Sequence, residues 1–165
     1  MSNKQVILHV HIPSADPELI AWYTDHGPAF PDDAGVDLFT GQDYRIPARA
    51  ISFNISLNVA LEMQYKDKSI CYMLGGRSSL SKSPLRLSCQ TGFIDAGFRG
   101  ILNFYVDNFG AEDYFVPKGT RLVQIVPLNI PKPISRVIIV DELTPGSRGS
   151  SGLGSSGIGP TMDHK

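Results

Sequence analysis

The sequence predicts an all-β fold of the jelly-roll kind with one short helix, and three observations predict it. Short apolar runs recur at close spacing along the chain. Pro, Gly, Asn or Asp breaks the chain between them. A single stretch carries helix-start signals, and no internal repeat points to a solenoid or propeller.

Residues 6–12 alternate apolar and polar and read as the first strand. Residues 16–26 are the helix candidate. Ser14 or Asp16 can cap it, Pro17 suits a first helical position, and Leu19, Ile20 and Tyr23 share a face. Strands are expected at 36–40, 50–61, 69–74, 101–108, 113–116, 121–128 and 135–141. Asn108-Phe109-Gly110 and Pro117-Lys118-Gly119 supply turns. The β domain is expected over 1–143. Residues 144–165 form a Gly/Ser-rich arm, expected to be flexible and to order on a ligand.

A chain of 165 residues suits one domain with a sizeable core. Its net charge is -1 with 19% charged residues, which speaks against a protein that tracks nucleic-acid phosphates. A few placed arginines still suffice for one small anion. Cys71 and Cys89 form no CxxC pair, so neither a zinc site nor a disulfide framework is expected. No apolar run approaches the roughly 20 residues that span a bilayer. The expectation is a soluble intracellular protein, cytoplasmic or nuclear, with neither nucleic acid nor membrane as partner.

Five segments carry candidate chemistry. Ala34-Gly35-Val36-Asp37-Leu38 puts an acid at a strand start. Asp37 can accept hydrogen bonds or hold a metal-bound water, and a turn acid serving backbone donors is the plainer role. Gly75-Gly76-Arg77-Ser78-Ser79-Leu80 reads as a strand end turning into a short helix. The Arg77 fork, the Ser78 and Ser79 hydroxyls and the helix-start N–H groups suit an anion, or else form an ordinary capped turn. The run from Gly92 to Gly100 places Phe93, Ile94, Asp95 and Phe98 on a tight hairpin. Its backbone can meet the edge of a base, an aromatic can pack on a sugar, and Asp95 can act on a water. Gly119-Thr120-Arg121-Leu122-Val123-Gln124-Ile125 is a strand with an amide among apolar residues; Gln124 either meets a phosphate or satisfies a strand edge. The run from Arg148 to Gly157 joins an arginine to glycines and serines, donors suited to closing over a polyphosphate. His9 and His11 share a strand face without further ligands nearby and are read as surface or core histidines.

Taken in order, these five segments resemble the five motifs of the trimeric dUTPases, from about Ala34 to Gly157. The resemblance implies a homotrimer of jelly-roll subunits with active sites shared between them. It implies hydrolysis of dUTP to dUMP and pyrophosphate, with Mg2+ bound to the triphosphate. Asp37 would orient the metal's water shell. Arg77, Ser78, Ser79 and Gln124 would line the phosphates. Gly92, Phe93, Ile94 and Asp95 would read the uracil edge, and Asp95 would position the attacking water. Phe98 would lie on the deoxyribose. Arg148, Leu153, Gly154, Ser155 and Ser156 would cover the nucleotide from the arm.

Four positions depart from the family pattern. Phe98 stands where tyrosine is usual, Leu153 where a stacking phenylalanine is usual, Ser151 where glycine is usual and Ser156 where threonine is usual. Two rivals remain. The dCTP deaminases share the fold, but they need a glutamate soon after the hairpin, and here no acid follows Gly100 before Asp107. A non-enzymatic, nucleotide-binding regulatory protein is the other.

Overall fold

A computed structural model describes residues 4–151 of the chain. The elements run β1 (Val6–His11), α1 (Pro17–Tyr23), β2 (Val36–Leu38), β3 (Tyr44–Ile46), β4 (Phe53–Tyr65), β5 (Lys68–Ser69), β6 (Tyr72–Gly76), a 3-10 turn (Ser78–Lys82), β7 (Leu85–Leu87), β8 (Thr91–Ile94), β9 (Ile101–Asn108), β10 (Tyr114–Val116), β11 (Val123–Pro127) and β12 (Ile134–Ile139). This is the expected mostly-β fold with one helix.

Two sheets matter for the site. The larger runs β12-β1-β4-β9-β7, with β5 hydrogen-bonded to β4. The four-stranded sheet runs β2-β11-β6-β8, and β3 pairs with β10 in a separate ribbon. Alternation drives the packing. Val6, Leu8 and Val10 of β1 are buried while their neighbours are not, and β11 buries Val123, Ile125 and Pro127 in the same way. The buried set joins Leu8, Ile55, Leu57, Leu61, Tyr72, Leu85, Val106 and Ile125 in one core.

Helix α1 forms as its caps dictate. The Asp16 carboxylate accepts from the N–H groups of Glu18 and Leu19, and Pro17 opens the helix. Leu19 and Tyr23 are buried, as their shared face requires. Lys118 Nζ then reaches Asp16 at 2.7 Å and Glu18 at 2.6 Å, tying the helix to the turn before β11.

Two expectations need correction, and the expected set of strands was incomplete. The 69–74 strand is two strands, β5 and β6, with Ile70 and Cys71 between them. Strands β3, β7 and β8 lay outside the expected set. The Gly92–Gly100 run is not a hairpin. Strand β8 pairs with β6 in one sheet, and β9 pairs with β4 and β7 in the other. The residues between them therefore carry the chain from sheet to sheet through a turn closed by Phe98 N–H donating to Asp95 C=O at 3.0 Å.

Candidate functional site

The candidate residues gather in two places. A cleft of about 250 Å³ is lined by His26, Asp37, Arg77, Ser78, Arg121 and Gln124, among others. A cavity of about 340 Å³ is lined by Gly92, Phe93, Ile94, Asp95, Phe98 and Arg148, among others. The two share no lining residue.

The cleft is built on the four-stranded sheet. Strand β11 lies between β2 and β6, so Gln124 sits on an interior strand, and the edge role considered for it does not apply. Register places Gln124 opposite Asp37 on one side and Gly75 on the other. Just past β6, Arg77 Nε lies 2.8 Å from Asp37 Oδ1, and Arg121 Nη1 lies 3.2 Å from Asp37 Oδ2. Arg77 also donates to the Arg121 carbonyl at 3.0 Å and to Ser79 Oγ at 3.3 Å. These bonds hold the fork in place, and Arg77 opens the 3-10 turn bearing Ser78 and Ser79. Ser78 lines the cleft, whereas Ser79 meets it only through Arg77.

Two polar cleft residues that contact Asp37, Arg121 and His26, carried no assigned role from the sequence. Arg121 precedes its strand, so periodicity does not aim it. His26 lies just past α1, and its Nε2 donates to the Asp37 carbonyl at 2.8 Å. The segment before the first motif therefore supplies a wall of the cleft.

A metal held by protein ligands alone would need several clustered donors. Among the described residues no group of three or more His, Cys, Asp or Glu could hold one. Asp37 accepts one arginine on each carboxylate oxygen and retains lone pairs on both. That donor set leaves Asp37 able to accept from the water shell of a cation carried by a polyphosphate.

The cavity is built by the crossing turn. Phe93 is exposed, while Ile94 and Phe98 are half-buried. The first residues of the arm lie along this turn. Arg99 N–H donates to Gly149 C=O at 2.6 Å, and Arg148 N–H donates to Gly97 C=O at 3.3 Å. Phe98 and Gly149 form a parallel bridge. A Cβ on Gly146 would collide with the Gly97 carbonyl, and one on Gly97 would sit 2.5 Å from Ser147 Oγ. Glycine is required at Gly146 for the two backbones to meet, while at Gly97 the Ser147 hydroxyl could turn away. The Arg148 guanidinium forms an ion pair with Asp95. Leu153, Gly154, Ser155 and Ser156 lie outside the described residues.

A mostly-β fold that carries the five motifs in this order, divided between a cleft and a cavity, is of the dUTPase kind. The dUTPase family model matches residues 23–157, and the chain belongs to that family. The deoxyuridine 5'-triphosphate nucleotidohydrolase of Clostridium acetobutylicum is 31% identical over 129 residues, covering 76% of this chain and 83% of the relative. That of Solibacter usitatus is 28% identical over 159 residues, covering 91% and 97%. Among solved structures, a Staphylococcus bacteriophage 80alpha dUTPase mutant with dUpNHpp matches with a TM-score of 0.58 at 22% identity, covering 92% of this chain and 98% of that one. A mutant dUTPase from phage phi11 of S. aureus, described for its coordination of a structural Mg(II) ion, matches with a TM-score of 0.59 at 20% identity, covering 76% and 92%. At those identities the two structures bear on the fold.

Proposed function

We propose that the protein hydrolyses dUTP to dUMP and pyrophosphate, by in-line attack of water on the α-phosphate, at sites shared among the copies of a homotrimer. The observation that carries this reading is the division of the motif residues between two separate surfaces of one subunit. A triphosphate suits the cleft and a uracil suits the cavity. One dUTP uses both if the cleft of one copy faces the cavity of another.

The roles follow from the chemistry. Arg77, Ser78 and Gln124 grip phosphate oxygens, and Ser79 steadies Arg77. The preset fork loses little freedom on binding, so it acts on charge as it develops. Asp37 would hold, through water, a Mg2+ carried by the triphosphate, and that ion would supply further neutralisation of the charge. The backbone of Gly92, Phe93, Ile94 and Asp95 reads the uracil edge. An unpaired buried polar group costs about 1–3 kcal/mol, so cytosine is refused by donor mismatch. Phe98 covers the deoxyribose where a 2′-hydroxyl would clash. Asp95 positions the water. For that, the triphosphate draws Arg148 from Asp95, and the arm residues Leu153, Gly154, Ser155 and Ser156 follow over the nucleotide.

The test is product analysis with dUTP, dCTP, dTTP and UTP, with and without Mg2+. The reading expects dUMP and pyrophosphate from dUTP in strong preference to the others. Deoxyuridine triphosphate formed from dCTP would mean deamination. Binding without turnover would mean a regulatory nucleotide binder.

A further inference from the structure

Glu62 stands in the C-terminal part of β4 and is 1% exposed, an unusual place for a carboxylate. It does not line the cleft or the cavity. It is nevertheless saturated with partners. Ser69 Oγ and Thr144 Oγ1 each donate to Oε1 at 2.6 Å, Gln64 donates at 2.9 Å, and Arg99 Nη2 lies 3.1 Å away. The Thr144 N–H donates to Oε2 at 3.1 Å.

Arg99 is equally committed, with its side chain 11% exposed. Its Nη1 donates to the carbonyls of Ala96 at 2.7 Å and Phe98 at 2.9 Å, the two that bracket Gly97 in the crossing turn. Its Nε donates to the Thr144 carbonyl at 2.7 Å. One guanidinium therefore binds the turn bearing Asp95 and Phe98 and also the root of the arm bearing Arg148. The carboxylate behind it binds that guanidinium and the same root.

We propose that Glu62 and Arg99 are positioning residues for dUTP turnover: they clasp the base-reading turn and the arm root into one unit, so that Asp95, Phe98 and Arg148 are placed together. This rests on the function proposed above. A plain filler of the β4 position would be apolar, since a buried ion pair is a poor way to gain stability alone. The pair instead joins two segments far apart in sequence that each carry site residues.

The test uses the full chain with Glu62→Gln, which keeps size but sets an NH2 against the Thr144 N–H. Thr144→Val is the milder second variant, since it leaves the ion pair intact. Amide exchange should rise together at residues 96–99 and 144–149, by tenfold or more in Glu62→Gln and less in Thr144→Val, with β11 unchanged. A rise at one segment without the other would overturn the clasp, as would no change in either. For dUTP, kcat/KM should fall about tenfold in Glu62→Gln, and by clearly less than tenfold when Arg148→Ala is already present, because only the share that acts through Asp95 and Phe98 then remains. Effects that multiply would reduce Glu62 to a fold residue and overturn the proposal. A wild-type protein that leaves dUTP intact would sink the proposed function instead, and the exchange result would then decide the clasp alone.

Discussion

The Asp37 cleft and the Phe98 cavity lie on one subunit and are made rigid by different means. In the cleft, rigidity comes from strand register: Asp37, Gln124 and Gly75 lie abreast on β2, β11 and β6. The arginines then lock onto Asp37 from outside the strands. In the cavity, Gly92, Phe93 and Ile94 still lie on β8 beside β6, but the chain then leaves that ladder for a turn that carries Asp95 and Phe98. Side-chain bonds from Arg99 and the packed arm root hold it instead. A sheet-built site tolerates loss of a single side chain because the backbone stays put. A turn held by side chains transmits such a loss to every residue it carries. The cleft should therefore fail one contact at a time, and the cavity as a unit.

The largest effect should come from Asp95→Asn. The amide keeps the shape, so nucleotide binding should persist, but it is too weak a base for the water. Turnover should fall by about 10²–10⁴. Single-turnover kinetics with an independent binding measurement separates the two. Near-normal turnover would make Asp95 merely the partner of Arg148.

Next comes the cleft. Arg77→Ala removes a charged fork, and charge-assisted bonds of about 1.5–3 kcal/mol correspond to a loss of roughly 10–150-fold in kcat/KM. Because the cavity is untouched, the preference for dUTP over dCTP should stay as it was. Loss of base preference in this variant would break the proposed division between the two surfaces.

Phe98→Ala should do the reverse. It should narrow the preference for dUTP over UTP by about tenfold, the scale of one lost apolar contact. Phosphate grip, read as inhibition by pyrophosphate, should not move. An unchanged dUTP-to-UTP ratio would show that Phe98 does not guard the sugar.

The same contrast explains what the sequence made legible. The cleft residues sit in short motifs whose chemistry reads locally: Arg77 before Ser78 and Ser79, Asp37 at a strand start. The long strands and α1 were readable from alternation and from the Asp16–Pro17 cap. Strands β3, β7 and β8 were not, although β2 and β10 are as short as β3 and β7. Nor was the true course of the 92–100 run, because a hairpin and a crossing between sheets share the same Gly and Asp punctuation. Only the partner of β8 tells them apart, and that partner, β6, is set by the core. Glu62 was unreadable for a related reason. A lone glutamate in an apolar strand gains meaning only when Arg99 and Thr144 arrive from distant parts of the chain.

The smallest effect tests whether the cavity side rests on that carboxylate. Burial raises the Glu62 carboxyl, but bonds from Ser69, Thr144 and Gln64 outweigh burial and hold it at about 2, below its ordinary 4.5. Between those values the unfolded chain binds a proton that the folded chain refuses. The contribution of Glu62 to stability is thus complete above about pH 4.5 and is lost as pH falls from there toward about 2. His9, opposite Glu62 across β1 and β4, acts at higher pH. Burial lowers it below its ordinary 6.5, although the Glu62 charge pulls it up. Its share is complete above about pH 6.5 and declines below it. Arg99 stays charged throughout. Thermal melts from pH 7 to pH 3 should show both losses in the wild type. In Glu62→Gln the steep fall below pH 4.5 should flatten. An equally steep fall in the variant would assign the acid loss to other carboxylates and leave Glu62 without a measurable hold on the turn.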